Sequence, residues 1–318
     1  MRVFVTRRLP GAAVERLRGE HEVEVWPEPL PPGRDALLGR VPELHGLLTL
    51  LTDPVDAELI RAAPHLRAIS NYAVGVDNVD VGAATARGIP VGNTPGVLTE
   101  STADLTLALM LGTGRRIAEG DAYVRRAEWR TWDPRLLLGR DLHDATVGVV
   151  GLGRIGRAVA GRCAGFGCEV LHTSRGGGVS LGELLERSDF VTLHAPLTPE
   201  TRGLIDADAL RRMKPTAYLI NTARGPLVDT DALARALHEG ELAGAALDVT
   251  DPEPLPGDHP LLDAPGVLVV PHIGSATHAT RGRMADMAVD NLLAGLAGER
   301  MPNCANPEVY EGLTRRSP

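Results

Sequence analysis

The chain has 318 residues, 43% of them hydrophobic, which suits two domains that each bury a core and rules against a single small module. A formal net charge of −8 leaves no general basic field for a polyanion, so no nucleic-acid partner is expected. Lys214 is the only lysine among 33 basic residues, and nothing functional follows from that bias.

The chain opens on Met1-Arg2-Val3-Phe4-Val5-Thr6, which reads as a strand and lacks the regions of a signal peptide; a cytoplasmic location is the expectation. Val23 to Val25, Leu47 to Leu51, Leu66 to Ser70 and Ile89 to Val91 read as further strands, with helices over Ala12 to Arg18, Arg34 to Arg40 and Asp56 to Ala62 between them. That alternation predicts a parallel-sheet domain. A long helical stretch follows from about Thr99 to Trp129. Its most apolar part, Leu105 to Gly112, lies between Asp104 and Arg115-Arg116 and is far short of the roughly 20 residues a membrane span needs.

After a loop with Trp129, Trp132 and Pro134, six strands are expected: Thr146 to Val150, Glu169 to Thr173, Phe190 to His194, Ala217 to Asn221, Ala243 to Leu247 and Val267 to Val270. Their continuous apolar character predicts a second parallel sheet covered by helices on both faces. A last helix, about Thr280 to Leu296, carries the chain back to the first domain and leaves a short polar tail. The expected fold is therefore α/β, with two Rossmann-like or flavodoxin-like domains: residues 1–98 plus 287–318, and residues 99–286. Cys163, Cys168 and Cys304 form no pair at metal or redox spacing and read as packing residues, so no metal is expected.

Gly151-Leu152-Gly153-Arg154-Ile155-Gly156 sets three glycines in the GxGxxG spacing after a strand and at the start of a helix. Gly151 permits the tight turn, Gly153 lets a pyrophosphate approach the backbone, and Gly156 lets helix and strand pack closely. The helix N-terminus offers amides and positive dipole to the phosphates. At the end of the second strand of such a domain, a carboxylate selects the ribose 2′-hydroxyl and repels a 2′-phosphate. Thr173, about 22 residues after Gly151 where roughly 20 is usual, is followed by Ser174, Arg175 and Gly176, with no carboxylate. A hydroxyl and a guanidinium suit a phosphate dianion, so NADPH is the expected cofactor, with NADH as the alternative.

Three polar residues stand at the ends of later strands, the edge where open α/β sheets bind ligands. Arg224 follows Asn221-Thr222-Ala223, Glu253 lies between Pro252 and Pro254, and His272 precedes Ile273-Gly274-Ser275. Each alone has a plain structural explanation, as a surface cation, a loop acid and a satisfied loop histidine. Together they match a 2-oxoacid reduction, which needs a carboxylate anchor and a proton donor beside the hydride source. Arginine's planar fork fits a carboxylate, and a histidine backed by a carboxylate keeps the protonated form that donates.

Five segments, Ser70 to Asp80, Val150 to Gly156, Asn221 to Asp229, Leu247 to Pro256 and Val269 to Arg281, resemble the D-isomer-specific 2-hydroxyacid dehydrogenases, and among them the glyoxylate/hydroxypyruvate reductase branch. The resemblance spans essentially the whole chain. It implies that Arg224 orients substrate, that Glu253 and His272 form the acid pair, and that Val74, Gly75 and Ser275 touch the substrate. It further implies cofactor contacts at Leu152 to Ile155, Ser174 to Gly176, Thr222, Ala223, Asp248 and Gly274. An active-site cleft between the domains and a homodimer formed through an arm over about residues 99–140 are also implied; Trp129 and Trp132 read as packing in that interface, with a substrate-pocket wall as the alternative for Trp132. The alternatives are another dehydrogenase of the family, such as a phosphoglycerate dehydrogenase, and a dinucleotide-sensing corepressor-like protein.

Overall fold

A computed structural model describes residues 1–311. The chain forms two compact units, Met1–Leu98 with the chain from Ala276 onward, and Thr99–Ser275. The first contains β1 (Arg2–Val5), α1 (Ala13–Glu20), β2 (Glu22–Val25), α2 (Arg34–Arg40), β3 (Gly46–Thr49), α3 (Ala57–Arg61), β4 (Ala68–Asn71), α4 (Val81–Ala86) and β5 (Val91–Gly92). All strands are parallel in the order β2-β1-β3-β4-β5, the flavodoxin-like order.

Side-chain alternation along these strands feeds two cores. Val3, Val5, Leu48 and Ala68 pack with α1 and the C-terminal helix, His278–Ala297. Phe4, Leu47, Ile69 and Val91 pack on the other face with Leu37, Leu59 and Ile60 from α2 and α3. The C-terminal helix is continuous from His278 and lies against β4, β3 and β5. The chain accordingly rejoins the first unit at Ala276, ahead of the position 287 expected from sequence.

The segment expected as a polar tail closes this sheet in part. Asn306 is fully buried; its Oδ1 accepts the Val91 amide at 2.8 Å, and its Nδ2 donates to Thr85 Oγ1 at 2.8 Å and Ile89 O at 3.0 Å.

The second unit contains α5 (Thr99–Gly114), α6 (Ile117–Arg125), β6 (Thr146–Val150), α7 (Arg154–Gly165), β7 (Glu169–Ser174), β8 (Gly177–Gly178), α8 (Leu181–Arg187), β9 (Phe190–Leu193), α9 (Ala207–Arg212), β10 (Tyr218–Asn221), α10 (Thr230–His238), β11 (Gly244–Leu247) and β12 (Val267–Val269). The sheet order is β12-β11-β10-β9-β6-β7-β8, parallel except for the antiparallel β7–β8 hairpin. Val147, Val149, Ile220 and Ala246 pack beneath α5 and α7. Val191, Leu193, Leu219 and Leu247 pack beneath α8 to α10. Cys163 belongs to the first of these cores, and burial pushes its thiol up to about 12.

The single helical stretch expected over 99–129 is two helices. The Gly114 carbonyl is taken by the Arg140 amide at 2.8 Å instead of a residue one turn on. A Cβ at Gly139 would lie 2.1 Å from that same oxygen, so the crossing segment sits tight against the helix end. Arg116 then turns left-handed at φ 53°. α6 buries none of its residues, and Ile117, Val124, Trp129, Trp132 and Leu138 are all exposed. Among the described residues no helix is long and apolar enough to cross a membrane.

Candidate active site

The chain reverses its direction of travel across the second sheet between β7, beside β6 on one side, and β9, on the other. A ligand crevice forms at such a switch point, outside the carboxyl ends of the strands. Gly151 follows β6 there with φ +94°, and an added Cβ would stand 2.7 Å from the His194 carbonyl carbon at the end of β9. Only glycine fits that space and that dihedral. A Cβ at Gly156 would fall 2.0 Å from Gly151 O, which is the close helix–strand approach expected of the third glycine.

Gly153 differs. It caps α7, and a Cβ there meets nothing within 4 Å. The middle glycine is open outward, as a backbone receiving phosphate should be. With the 12-residue helix α7 starting at Arg154, these residues fit a dinucleotide pyrophosphate.

At the end of β7, Ser174 pairs with Gly177 across a two-residue turn that places Arg175 and Gly176 at its tip. The Ser174 hydroxyl donates to Gly177 O at 3.1 Å and accepts the Gly176 amide at 3.3 Å. Its proton is thus used within the turn, so Ser174 shapes the hairpin that presents Arg175. Arg175 is exposed and, among the described residues, pairs with no carboxylate.

The three candidates for chemistry follow strands on the other half of the sheet. His272 Nδ1 and Glu253 Oε1 are 2.6 Å apart, bringing residues from two separate loops into one hydrogen bond. His272 has a left-handed backbone at φ 53°, a conformation that costs a non-glycine residue about 1 kcal/mol or more. Asp248, 2% exposed at the end of β11, holds it there. The Asp248 carbonyl accepts the His272 amide at 2.9 Å. Its Oδ1 accepts Ile273 N at 2.6 Å, and its Oδ2 accepts Gly274 N at 2.8 Å. Burial raises the Asp248 pKa, while the Ile273 amide and the charge of His272 pull it back.

Arg224 follows β10, where its backbone is clamped by Asn221: Nδ2 donates to Arg224 O at 2.8 Å and Oδ1 accepts Ala223 N at 3.0 Å. The guanidinium donates to Ala223 O at 2.8 Å. The next residue, Gly225, is pressed on Thr250 O, which a Cβ would approach to 1.8 Å. The Arg224 loop and the segment leading to Glu253 are therefore packed backbone on backbone. Thr222, which precedes Ala223, shares a buried 2.9 Å hydrogen bond with Thr106 of α5. Ser275 closes the second unit, partly buried. Val74 and Gly75 lie in the first unit, in the loop after β4. Among the described residues no group of three or more His, Cys, Asp and Glu is arranged to hold a metal ion.

Sequence reasoning passed over His194. It is partly buried at the switch point, its Nε2 lies 2.9 Å from Thr192 Oγ1, and desolvation pushes its imidazole down to about 3 from 6.5. Its place at the end of the first strand beyond the switch was the available signal. The folded chain refuses a proton that the unfolded chain binds below pH 6.5. Stability should therefore fall by up to about 1.4 kcal/mol per pH unit between roughly pH 6.5 and 3. Thermal unfolding across this range should show a shallower decline in His194→Gln than in the wild type; equal slopes would remove His194 as the cause.

A glycine turn open to solvent at a helix N-terminus, a cationic hairpin tip and a carboxylate-backed histidine on one sheet edge fit the class of dinucleotide-dependent oxidoreductases. Residues 107–274 match the family model for the D-isomer specific 2-hydroxyacid dehydrogenase NAD-binding domain. The glyoxylate reductase of Korarchaeum cryptofilum is 49% identical, over 98% of this chain and 97% of its own. That of Aeropyrum pernix is 47% identical, over 98% and 97%. Among solved structures, a protein of Thermus thermophilus superposes with a TM-score of 0.92 at 53% identity, covering 96% of this chain and 100% of that one. An NADPH-dependent glyoxylate/hydroxypyruvate reductase of Sinorhizobium meliloti, solved with NADP and malonate, gives 0.84 at 33% identity, covering 96% and 97%. The chain belongs to the D-isomer-specific 2-hydroxyacid dehydrogenase family and is an NAD(P)-dependent dehydrogenase.

Proposed function

We propose that the chain reduces glyoxylate and hydroxypyruvate, with NADPH preferred over NADH. The observation that carries this reading is the 2.6 Å Glu253–His272 contact on the sheet edge that also bears the glycine turn and the Arg224 loop. Arg224 holds the substrate carboxylate through its planar fork, and the backbone at Val74 and Gly75, with Ser275, completes the substrate contacts. His272 gives its Nε2 proton to the carbonyl oxygen while Glu253 stabilises the positive imidazole from the Nδ1 side. When bound, the reduced nicotinamide supplies the hydride. Leu152 to Gly156 take the pyrophosphate, and Thr222, Ala223, Asp248 and Gly274 line the nicotinamide end.

Support for small 2-oxoacids comes from the names of the relatives, which are glyoxylate reductases at 44% to 49% identity over nearly full length. Support for NADPH comes from the hairpin tip. The end of β7 carries no acid, and Arg175 stands exposed beside Gly176 with no carboxylate partner among the described residues. A guanidinium there gains an ion pair with the 2′-phosphate that a 2′-hydroxyl cannot offer. Arg175→Asp should lower the ratio of kcat/KM with NADPH to that with NADH by about tenfold or more. An unchanged ratio would count against the assignment.

Arg224→Lys should raise the KM for glyoxylate about tenfold or more, because a point charge cannot reproduce a two-pronged contact. NADPH affinity should hold, and a KM that stayed put would show the carboxylate is bound elsewhere. A panel of 2-oxoacids of rising bulk assayed with both cofactors tests the whole reading: glyoxylate and hydroxypyruvate with NADPH should give the highest kcat/KM. A second copy of the chain is the proposed cover for the exposed side chains of α6 and the loop that follows it, which makes the active form a homodimer.

A further inference from the structure

The loop after β4, which carries Val74 and Gly75, is held by asparagine side chains. Asn93 Nδ2 donates to Val74 O at 2.8 Å. Asn71 Nδ2 donates to Gly75 O at 2.9 Å and also to Asn78 Oδ1 at 2.9 Å. Asn78 Nδ2 then reaches across to Leu50 O and Asp53 O, both at 2.9 Å, tying this loop to the one after β3. The anchors are themselves fixed. Asn71 Oδ1 accepts the Thr49 hydroxyl at 3.0 Å, and the Asn93 carbonyl accepts Asn291 Nδ2 at 2.8 Å. Asn71 and Asn291 are fully buried.

This arrangement determines where the backbone donors point. In a trans peptide the carbonyl and the following N–H lie on opposite sides. Pinning Val74 O therefore turns the Gly75 N–H outward, and pinning Gly75 O does the same for the Val76 N–H. Among the described residues neither N–H has a hydrogen-bond partner in the protein. Two neighbouring backbone N–H groups left without a protein acceptor are donors that an anion can take. If either peptide flipped, a carbonyl oxygen would replace an N–H and face that anion.

We propose that Asn93 and Asn71 are positioning residues for the reaction: by holding the Val74 and Gly75 carbonyls they aim the Gly75 and Val76 amides at the substrate carboxylate. Val76 becomes a further donor through its backbone. The inference rests on the reading that the Val74–Gly75 loop receives the substrate carboxylate. It predicts an effect on substrate affinity with little on turnover or on the cofactor.

The test has two arms. Full-length wild type labelled with 15N at glycine and valine is titrated with oxalate, a non-reactive carboxylate probe. The Gly75 and Val76 amide resonances should move and saturate. If neither responds, the loop is not the anion site, and the proposal falls with the reading beneath it.

In the second arm, Asn93→Leu and Asn93→Asp are assayed with glyoxylate and NADPH. Both fill the same volume without the amide donor, and the aspartate adds a charge that opposes the anion. The KM should rise about tenfold or more, with kcat within about threefold and NADPH affinity unchanged, which also certifies the fold. If the wild-type amides respond and either folded variant keeps its KM, or loses kcat instead, the positioning role is overturned and the anion site stands.

Discussion

His272→Gln is expected to lower kcat for glyoxylate by a factor on the order of 10² to 10⁴ while NADPH binds as before, the range typical of a lost general acid. The geometry explains why so much rests on one side chain. Glu253 meets Nδ1 at 2.6 Å, which leaves Nε2 as the nitrogen available to substrate. Asp248 fixes the His272 backbone in its left-handed conformation through three acceptors. Glutamine carries an N–H but does not release it as an acid near neutral pH. Steady-state rates combined with a direct measurement of NADPH binding decide the matter. Turnover within tenfold of wild type would remove His272 from the proposed chemistry, and lost cofactor binding would place it in the dinucleotide site.

Gly225→Ala should be nearly as damaging although it removes nothing. The new methyl would stand 1.8 Å from Thr250 O and 2.1 Å from Thr250 C, so backbone must move by more than 1 Å to reach ordinary contact. Whichever side yields, the Arg224 guanidinium shifts relative to the loop that carries Glu253. A misplacement of about 1 Å in such a site costs on the order of 10² in rate. The expected result is a kcat/KM for glyoxylate lower by about 10² or more in protein that still binds NADPH. Wild-type kinetics would show that these two loops need no fixed relation.

Both sheets were readable from sequence because buried parallel strands are short apolar runs between turn residues, as in Thr146 to Val150 and Tyr218 to Asn221. The glycine turn was equally plain, since φ +94° at Gly151 and the 2.0 Å approach at Gly156 leave room for no other residue. What escaped depends on contacts distant in sequence. The break at Arg116 arises because Arg140 takes the Gly114 carbonyl. The β8 hairpin hides in Gly176-Gly177-Gly178, which has no side chains from which a strand could be read.

In the candidate site, residue type was legible and function at the level of hydrogen bonds was not. Glu253 and His272 could be named, but their contact depends on the fold of two loops. Asp248 reads as a cofactor neighbour, and the structure adds a second task, since its carboxylate also accepts the Ile273 and Gly274 amides. Asn71 and Asn78 lie in the Ser70 to Asp80 segment, but neither they nor Asn93 and Asn291 carry a sequence signal for what their side chains hold. Only the fold shows that three of their amide groups meet carbonyls on neighbouring loops and that the fourth pins Asn93.

The central claim is that this site turns over a small 2-oxoacid with a nicotinamide cofactor, and the most direct test is addition of glyoxylate to purified protein with NADPH, followed by cofactor absorbance. The account predicts oxidation of NADPH at a rate on the order of 1 to 10³ per second per site, with glycolate formed mole for mole. Oxidation no faster than in the absence of glyoxylate would contradict it.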